Sequence, residues 1–167
     1  MPQKLRVLFL CTGNAARSQI AEALLHHLSK GRVDVVSAGS APEKTIHPST
    51  RATLERQYSI DCTGLRPKPI RDFLGQRFDF VITVCDKAAE ACPSFPGDPD
   101  RIHWSFEDPT TLTDADAQTR AFEHIASGLA ARIRIWMSLP DIRSRIEAQS
   151  NERELSESIA PGKSLMS

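Results

Sequence analysis

The chain has no surplus charge of either sign. Its 167 residues carry 21 Lys and Arg against 21 Asp and Glu. A polyanion binder needs a basic excess to neutralise phosphates, so no nucleic-acid partner is expected. Long apolar runs are also missing. No stretch approaches the ~20 residues that span a bilayer, so no membrane association is expected. The apolar run 7–10 is too short for the h-region of a signal peptide, and the expected compartment is the cytoplasm. There is no internal repeat. With 8 Gly, 11 Pro and 40% hydrophobic residues, the composition suits a globular chain and not a disordered one. The length is that of one domain, with room for a tail.

Cysteine is scarce: Cys11, Cys62, Cys85 and Cys92. A reducing compartment does not favour structural disulfides. The four are therefore either small buried hydrophobes or reactive thiols. A zinc site is disfavoured, because the C-x6-C spacing of Cys85 and Cys92 is too wide and no second ligand pair follows. No metal and no cofactor are expected.

What is present is an alternation of strands and helices. Apolar runs at 5–10, 33–37, 78–84 and 102–106 read as strands. Helical spacing appears over 18–30, 48–57 (with Pro48 suited to the first turn) and 115–137. The last of these carries the stripe Phe122, Ile125, Leu129, Ile133 and Trp136. Shorter helices are expected at 70–74 and, in an Ala-rich stretch, at 85–92. The pattern predicts a single α/β domain with a four-stranded parallel sheet flanked by helices. That domain is expected over 1–139. Residues 140–167 change character, with few apolar positions, and are expected to hold a short helix at 141–149 within a largely disordered tail.

Ligands in such folds bind beyond the carboxyl ends of strands. Cys11 follows the first strand, Cys85 the third, and Cys92 lies seven residues further on. Cys11-Thr12-Gly13-Asn14-Ala15-Ala16-Arg17-Ser18 is a C-x5-R loop leading from strand to helix. The first amides of a helix lack intrahelical partners and carry the positive end of its dipole. A loop wrapped over them forms a nest for a tetrahedral oxyanion. Arg17 adds a planar fork for two of the anion's oxygens. The same field favours Cys11 as a nucleophilic thiolate, and Ser18 can donate to its sulfur. Gly13 and Asn14 tolerate left-handed backbone. The Gly-Lys-Ser/Thr ending of a Walker loop is absent.

The run Leu10 to Glu22 resembles the active-site loop and first helix of the low-molecular-weight protein tyrosine phosphatase superfamily. Within it, the thioredoxin-coupled arsenate reductases are most similar. Their pattern continues in Ser37-Ala-Gly39, His47-Pro48, Ile60-Asp61 and Lys68-Pro-Ile70. It continues in Val84-Cys85, Cys92-Pro93 and His103-Trp104-x-Phe106-x-Asp108-Pro109. The resemblance implies that Cys11 attacks arsenate and that Cys85 then attacks Cys11, releasing arsenite. Cys92 next takes the disulfide outward as Cys85–Cys92, and thioredoxin reduces it. It implies that Asp108 is the general acid. Phosphate or sulfate is expected to mimic the oxyanion, and a monomer is expected. Cys62 has no role in this scheme. His103 and Trp104 are expected to be packing residues.

Helical rise alone would separate the Cα atoms of residues 85 and 92 by ~10.5 Å. A disulfide needs roughly 4.4–6.8 Å. The segment is therefore expected to unwind when the bond closes. The chain also departs from its relatives. Ala16 stands where many have a second loop cysteine, and Ala15 where a serine is usual. Arg66 and Lys68 occupy a region where some bind potassium, which disfavours a cation. Thr110-Thr111 replace the tyrosine pair of the phosphatases. Two alternatives remain at this stage: a phosphatase acting on a phosphoester, and a non-catalytic redox or oxyanion sensor.

Overall fold

The computed structural model describes residues 3–159. The tail expectations for 160–167 lie outside the described residues. The elements run β1 (Arg6–Cys11), α1 (Arg17–Leu28), β2 (Asp34–Gly39), α2 (Pro48–Tyr58), β3 (Phe80–Thr83), α3 (Asp86–Glu90), β4 (Asp100–His103), α4 (Ala115–Ser138) and α5 (Pro140–Ile159). One-turn 3-10 helices stand at Ile70–Phe73 and Pro109–Thr111. The sheet has the order β2-β1-β3-β4, and every pairing is parallel. The expected α/β class and four parallel strands are observed.

β1 is central because it is apolar on both faces. Val7, Leu8, Phe9 and Leu10 are all fully buried, as a parallel strand covered by helices on both sides requires. On one side α1 buries Ile20, Leu24 and Leu25, and α4 buries Phe122, Leu129 and Ile133 along its apolar stripe. Asp114 caps α4 by accepting from the Ala117 amide at 2.8 Å.

Two strand ends differ from the sequence expectation. β3 ends at Thr83 and β4 at His103, so 104–108 leaves the sheet as a loop. That loop crosses over the carboxyl end of β1 and brings the Phe106 carbonyl and Asp108 to Arg17. α3 is also shorter than 85–92, because Cys85 keeps extended backbone and the helix closes at Ala91.

The tail expectation needs correction. Residues 140–159 form one continuous helix, not a short helix at 141–149 followed by disorder. The physical reason is a sparse but sufficient apolar stripe. Ile142 and Ile146 are buried, and Gln149 extends the same face. Side-chain ties add to it. Arg145 reaches Asp79 at 3.3 Å, Arg32 donates to Ser150 Oγ, and Arg153 donates to the Lys30 carbonyl at 3.2 Å.

Candidate active site

The C-x5-R loop runs from the last residue of β1 to the first turn of α1. Its carbonyls are held outward by the segment 40–50. The amides of Ser40, Ala41 and Glu43 donate to the carbonyls of Cys11, Thr12 and Gly13 at 3.3, 2.9 and 2.9 Å. The Ala15 carbonyl accepts from the His47 amide at 2.9 Å and from Thr50 Oγ1 at 2.8 Å. Gln19 Nε2 takes the Asn14 carbonyl at 3.0 Å. In a planar trans peptide the following N–H points opposite its carbonyl. Fixing the carbonyls of residues 12–15 outward therefore turns the amides of 13–16 inward, toward the cleft. The Asn14 amide donates to Cys11 Sγ at 3.3 Å, and Ser18 Oγ donates to the same sulfur at 3.1 Å. Two donors on one buried sulfur suit a thiolate acceptor. No side chain caps α1, so its first amides stay free for an anion.

Two backbone features make the wrap possible. Asn14 sits at φ 50, in the left-handed region. Gly39 lies beside Cys11 in the sheet register, and a Cβ there would stand 2.4 Å from the Thr12 carbonyl. The loop can cross β2 only over a glycine.

Asn14 is the hub beneath the loop. Its Nδ2 donates to Ser18 Oγ at 2.8 Å and Ser37 Oγ at 2.9 Å. Its Oδ1 accepts from the Lys68 amide at 2.9 Å and Gln19 Nε2 at 3.1 Å. Ser37 passes the network to Glu22 Oε1 at 3.2 Å. The Lys68 ammonium lies 3.5 Å from Glu22 Oε1 and donates to the Arg66 carbonyl at 2.9 Å. A side-chain cation of the protein itself therefore balances Glu22. Among the described residues, no group of three or more His, Cys, Asp or Glu is placed to hold a metal ion.

Arg17, Cys85 and Asp108 converge on the loop from three elements. With the residues of 11–17 they line a cleft of about 470 Å³. Arg17 Nη1 donates to the Phe106 carbonyl at 2.9 Å, and Nη2 stands 3.8 Å from Asp108 Oδ2. Asp108 Oδ1 accepts from the Thr110 amide at 3.0 Å and from Thr110 Oγ1 at 2.6 Å. Burial pushes the Asp108 carboxyl up. The Thr110 donors, Arg17 and His47 outweigh it and hold the group below its ordinary value. Cys85 is buried, and its Sγ lies 3.5 Å from Thr12 Oγ1, so the second thiol opens onto the first thiol's cleft. Cys92 stands apart from this cleft. Its Sγ contacts the Pro93 carbonyl at 3.7 Å, and burial raises its thiol, partly offset by Arg101. All four cysteines are free thiols. Cys62 is fully buried, and burial raises its thiol too.

The residue-level expectations thus separate. Cys11, the loop 12–18, Arg17, Cys85 and Asp108 are brought together, and Cys92 is not. Sequence reading missed the scaffold beneath the loop. Thr50 carries no local signature, and Gln19, His47 and Phe106 appeared only inside the family pattern, with no role attached. It also placed His103 in packing, whereas the structure gives that side chain two polar partners. Thr83 Oγ1 lies 2.8 Å from Nδ1, and Asp86 Oδ1 lies 3.0 Å from Nε2.

A parallel sheet that ends in a cysteine, an amide nest and an arginine is the arrangement of an α/β enzyme, with a geometry suited to a tetrahedral oxyanion beside a thiol. The low molecular weight phosphotyrosine protein phosphatase model matches residues 6–151, and the chain belongs to that family. Arsenate reductase of Halalkalibacterium halodurans is 33% identical over 131 residues, covering 78% of this chain and 93% of that enzyme. A thioredoxin-dependent arsenate reductase of Corynebacterium glutamicum is 34% identical with a TM-score of 0.61. That match covers 81% of this chain, which spans 61% of the C. glutamicum chain. An arsenate reductase solved in its phosphate-binding state is 25% identical with a TM-score of 0.65, covering 80% of this chain and 97% of that one. The family resemblance read from the sequence is borne out.

Proposed function

We propose that the chain reduces arsenate to arsenite in the cytoplasm, with thioredoxin restoring the enzyme. The observation that supports this best is the second thiol. A phosphoester hydrolase of this fold needs one cysteine, whereas here Cys85 opens onto the cleft of Cys11. The cleft also has no aromatic lining residue, so it offers a small inorganic oxyanion a fit and an aryl phosphoester no stacking wall.

The chemistry follows from the positions. The inward amides of 13–16 and the Arg17 fork hold three oxygens of the anion. Cys11 Sγ attacks arsenic, forming an S–As bond. The departing oxygen takes a proton from Asp108 and leaves as water. Asp108 must first be protonated, and a bound anion beside it favours that by like-charge repulsion. Cys85 Sγ then attacks Cys11 Sγ. The S–As bonding pair passes to arsenic, which leaves as arsenite, and the two sulfurs become a disulfide. Cys92 attacks Cys85 and returns Cys11 as a thiolate. The dithiol of thioredoxin reduces the Cys85–Cys92 bond.

Arsenate-dependent NADPH oxidation with thioredoxin and its reductase tests the reading. Wild type should turn over. Cys11→Ser should be inactive, and Cys85→Ser should release no arsenite. Cys92→Ser should give one arsenite per enzyme and then stop. Sustained turnover in Cys92→Ser would overturn the relay. Hydrolysis of p-nitrophenyl phosphate without any arsenate reduction would favour the phosphatase reading.

A further inference from the structure

α3 has five residues, and a helix this short does not persist by its own hydrogen bonds. Something must hold its start, because Cys85 immediately precedes it. Cys85 itself has no side-chain cap bond. The tie is made by the next residue. Asp86 Oδ1 lies 3.0 Å from His103 Nε2 and accepts from Ser105 Oγ at 3.3 Å. The other ring nitrogen, Nδ1, lies 2.8 Å from Thr83 Oγ1. Thr83 is the last residue of β3 and His103 the last of β4. The imidazole therefore bridges the two strand ends and fastens the first helical residue to both. Among the described residues, the other end of the segment has no such polar clasp. Cys92 is partly buried against the core, its Sγ has a weak polar contact to the Pro93 carbonyl, and Arg101 holds that carbonyl at 3.1 Å.

We propose that Asp86 and His103 are positioning residues that keep Cys85 turned into the cleft for its attack on Cys11. On the relay reading given above, which this extends, Cys85 must be aimed at Cys11 first and reach Cys92 only afterwards. A polar clasp at the Cys85 end, with none at the Cys92 end, produces that order. The clasp must open before the Cys85–Cys92 disulfide can move outward. The pair is largely exposed, with side-chain exposures of 36% for His103 and 79% for Asp86. Exposed pairs add little to the stability of a whole fold. Removing this one should disturb the aim of Cys85 and leave the protein folded.

The test uses a Cys92→Ser background, where the reaction stops at the Cys11–Cys85 disulfide. Enzyme in excess is mixed with arsenate, and arsenite is measured against time. Asp86→Ala and His103→Ala should slow that step by about tenfold, the effect of losing one charge-assisted hydrogen bond from a reactive alignment. His103→Gln, which keeps a donor near the Nε2 position, should recover most of the rate. Inorganic phosphate affinity should be unchanged in the two His103 variants, since the 11–18 loop is untouched and His103 lies outside the cleft lining, whereas Asp86 lines the cleft and its variant is read by rate and labelling. A second readout needs no arsenate. Iodoacetamide labelling of Cys85, followed by mass spectrometry, should accelerate in the two alanine variants and return toward normal in His103→Gln. Unchanged labelling, or a glutamine variant as impaired as the alanine one, overturns the clasp. Phosphate affinity falling in step with the rate in the His103 variants also overturns it, as general disruption of the site. A parent that labels as described but forms no arsenite counts against the reductase reading and leaves the clasp standing.

Discussion

Asn14→Ala should be the most damaging single change beneath the anion loop. The side chain makes four hydrogen bonds, to Ser18, Ser37, the Lys68 amide and Gln19, and the residue is fully buried. Each such bond contributes about 1 kcal/mol net, so their joint loss costs about 4 kcal/mol. Asn14 also sits at φ 50, where a Cβ without a local polar partner adds about 1 kcal/mol. For a chain of this length the hydrogen-bond loss alone lowers Tm by about 8–16 °C. Denaturant unfolding of three variants separates the causes. Asn14→Gly should lose the bonds without the strain, and so unfold at higher denaturant than Asn14→Ala by about 1 kcal/mol. Asn14→Asp keeps the shape, but it draws the Ser18 hydroxyl away from Cys11 Sγ and buries a second negative charge near that sulfur. It should therefore lose Cys11 alkylation by iodoacetamide out of proportion to its stability. An Asn14→Ala protein within 1 kcal/mol of wild type would refute the hydrogen-bond sum. A glycine variant no more stable than the alanine one would refute the strain.

Thr110→Val removes the 2.6 Å hydroxyl bond to Asp108 and keeps the backbone one, so the Asp108 carboxyl should titrate closer to 3.8, as read by carboxyl-carbon NMR. Because the folded value is depressed, Asp108 stabilises the protein above 3.8 and that stability is lost as pH falls through the lower folded value; the gap between wild type and variant should close on that acid side. Ile146→Ala tests the docking of α5. The side chain is only 4% exposed, so truncation should cost about 2 kcal/mol, the low end for a core isoleucine on a peripheral helix, measured by the denaturant midpoint. A cost under about 0.5 kcal/mol would mean that α5 does not pack as described.

The parts of the molecule that were legible are those whose signal is local. Four apolar runs gave the sheet, and the 3.6-residue stripe of α4 gave its long helix. The C-x5-R loop was legible because Cys11, Gly13, Asn14 and Arg17 each meet a separate demand of one short segment. The scaffold under it was not, because its bonds span long separations. Arg17 to Phe106 crosses 89 residues, and Gln19 to Arg66 crosses 47. Neither pair has a sequence pattern of its own. α5 was legible only in part, as a short helix at 141–149, for the opposite reason. Its buried apolar positions are Ile142 and Ile146, too few to mark a helix as far as 159 in isolation. What makes it one is the surface it meets, through Arg145, Ser150 and Arg153.

The neutral total charge and the short relay helix answer to the same constraint. A site for a multiply charged anion could be built from a basic surface, but that would draw in any polyanion. Here the positive field comes from inward amides and Arg17, with Lys87 at the cleft wall among the carboxylates of Glu43, Asp86 and Asp108, and the amide part falls off within a turn of helix. It reaches Cys11 and the cleft, and little beyond. On the proposed relay the second thiol must lie inside that field to attack the first, and Cys85 opens onto the cleft at the carboxyl end of β3. On the proposed relay it must also leave. A long helix after Cys85 would hold it there, since every added residue contributes another backbone bond to break. α3 spans only five residues, with Ala89 donating to the Cys85 carbonyl at its start at 3.2 Å and Ala91 to the Lys87 carbonyl at its end at 3.1 Å. Ala88 is its one buried side chain. A segment stabilised by so little, and fastened at one end by a side-chain clasp, can hold its first state without being trapped in it.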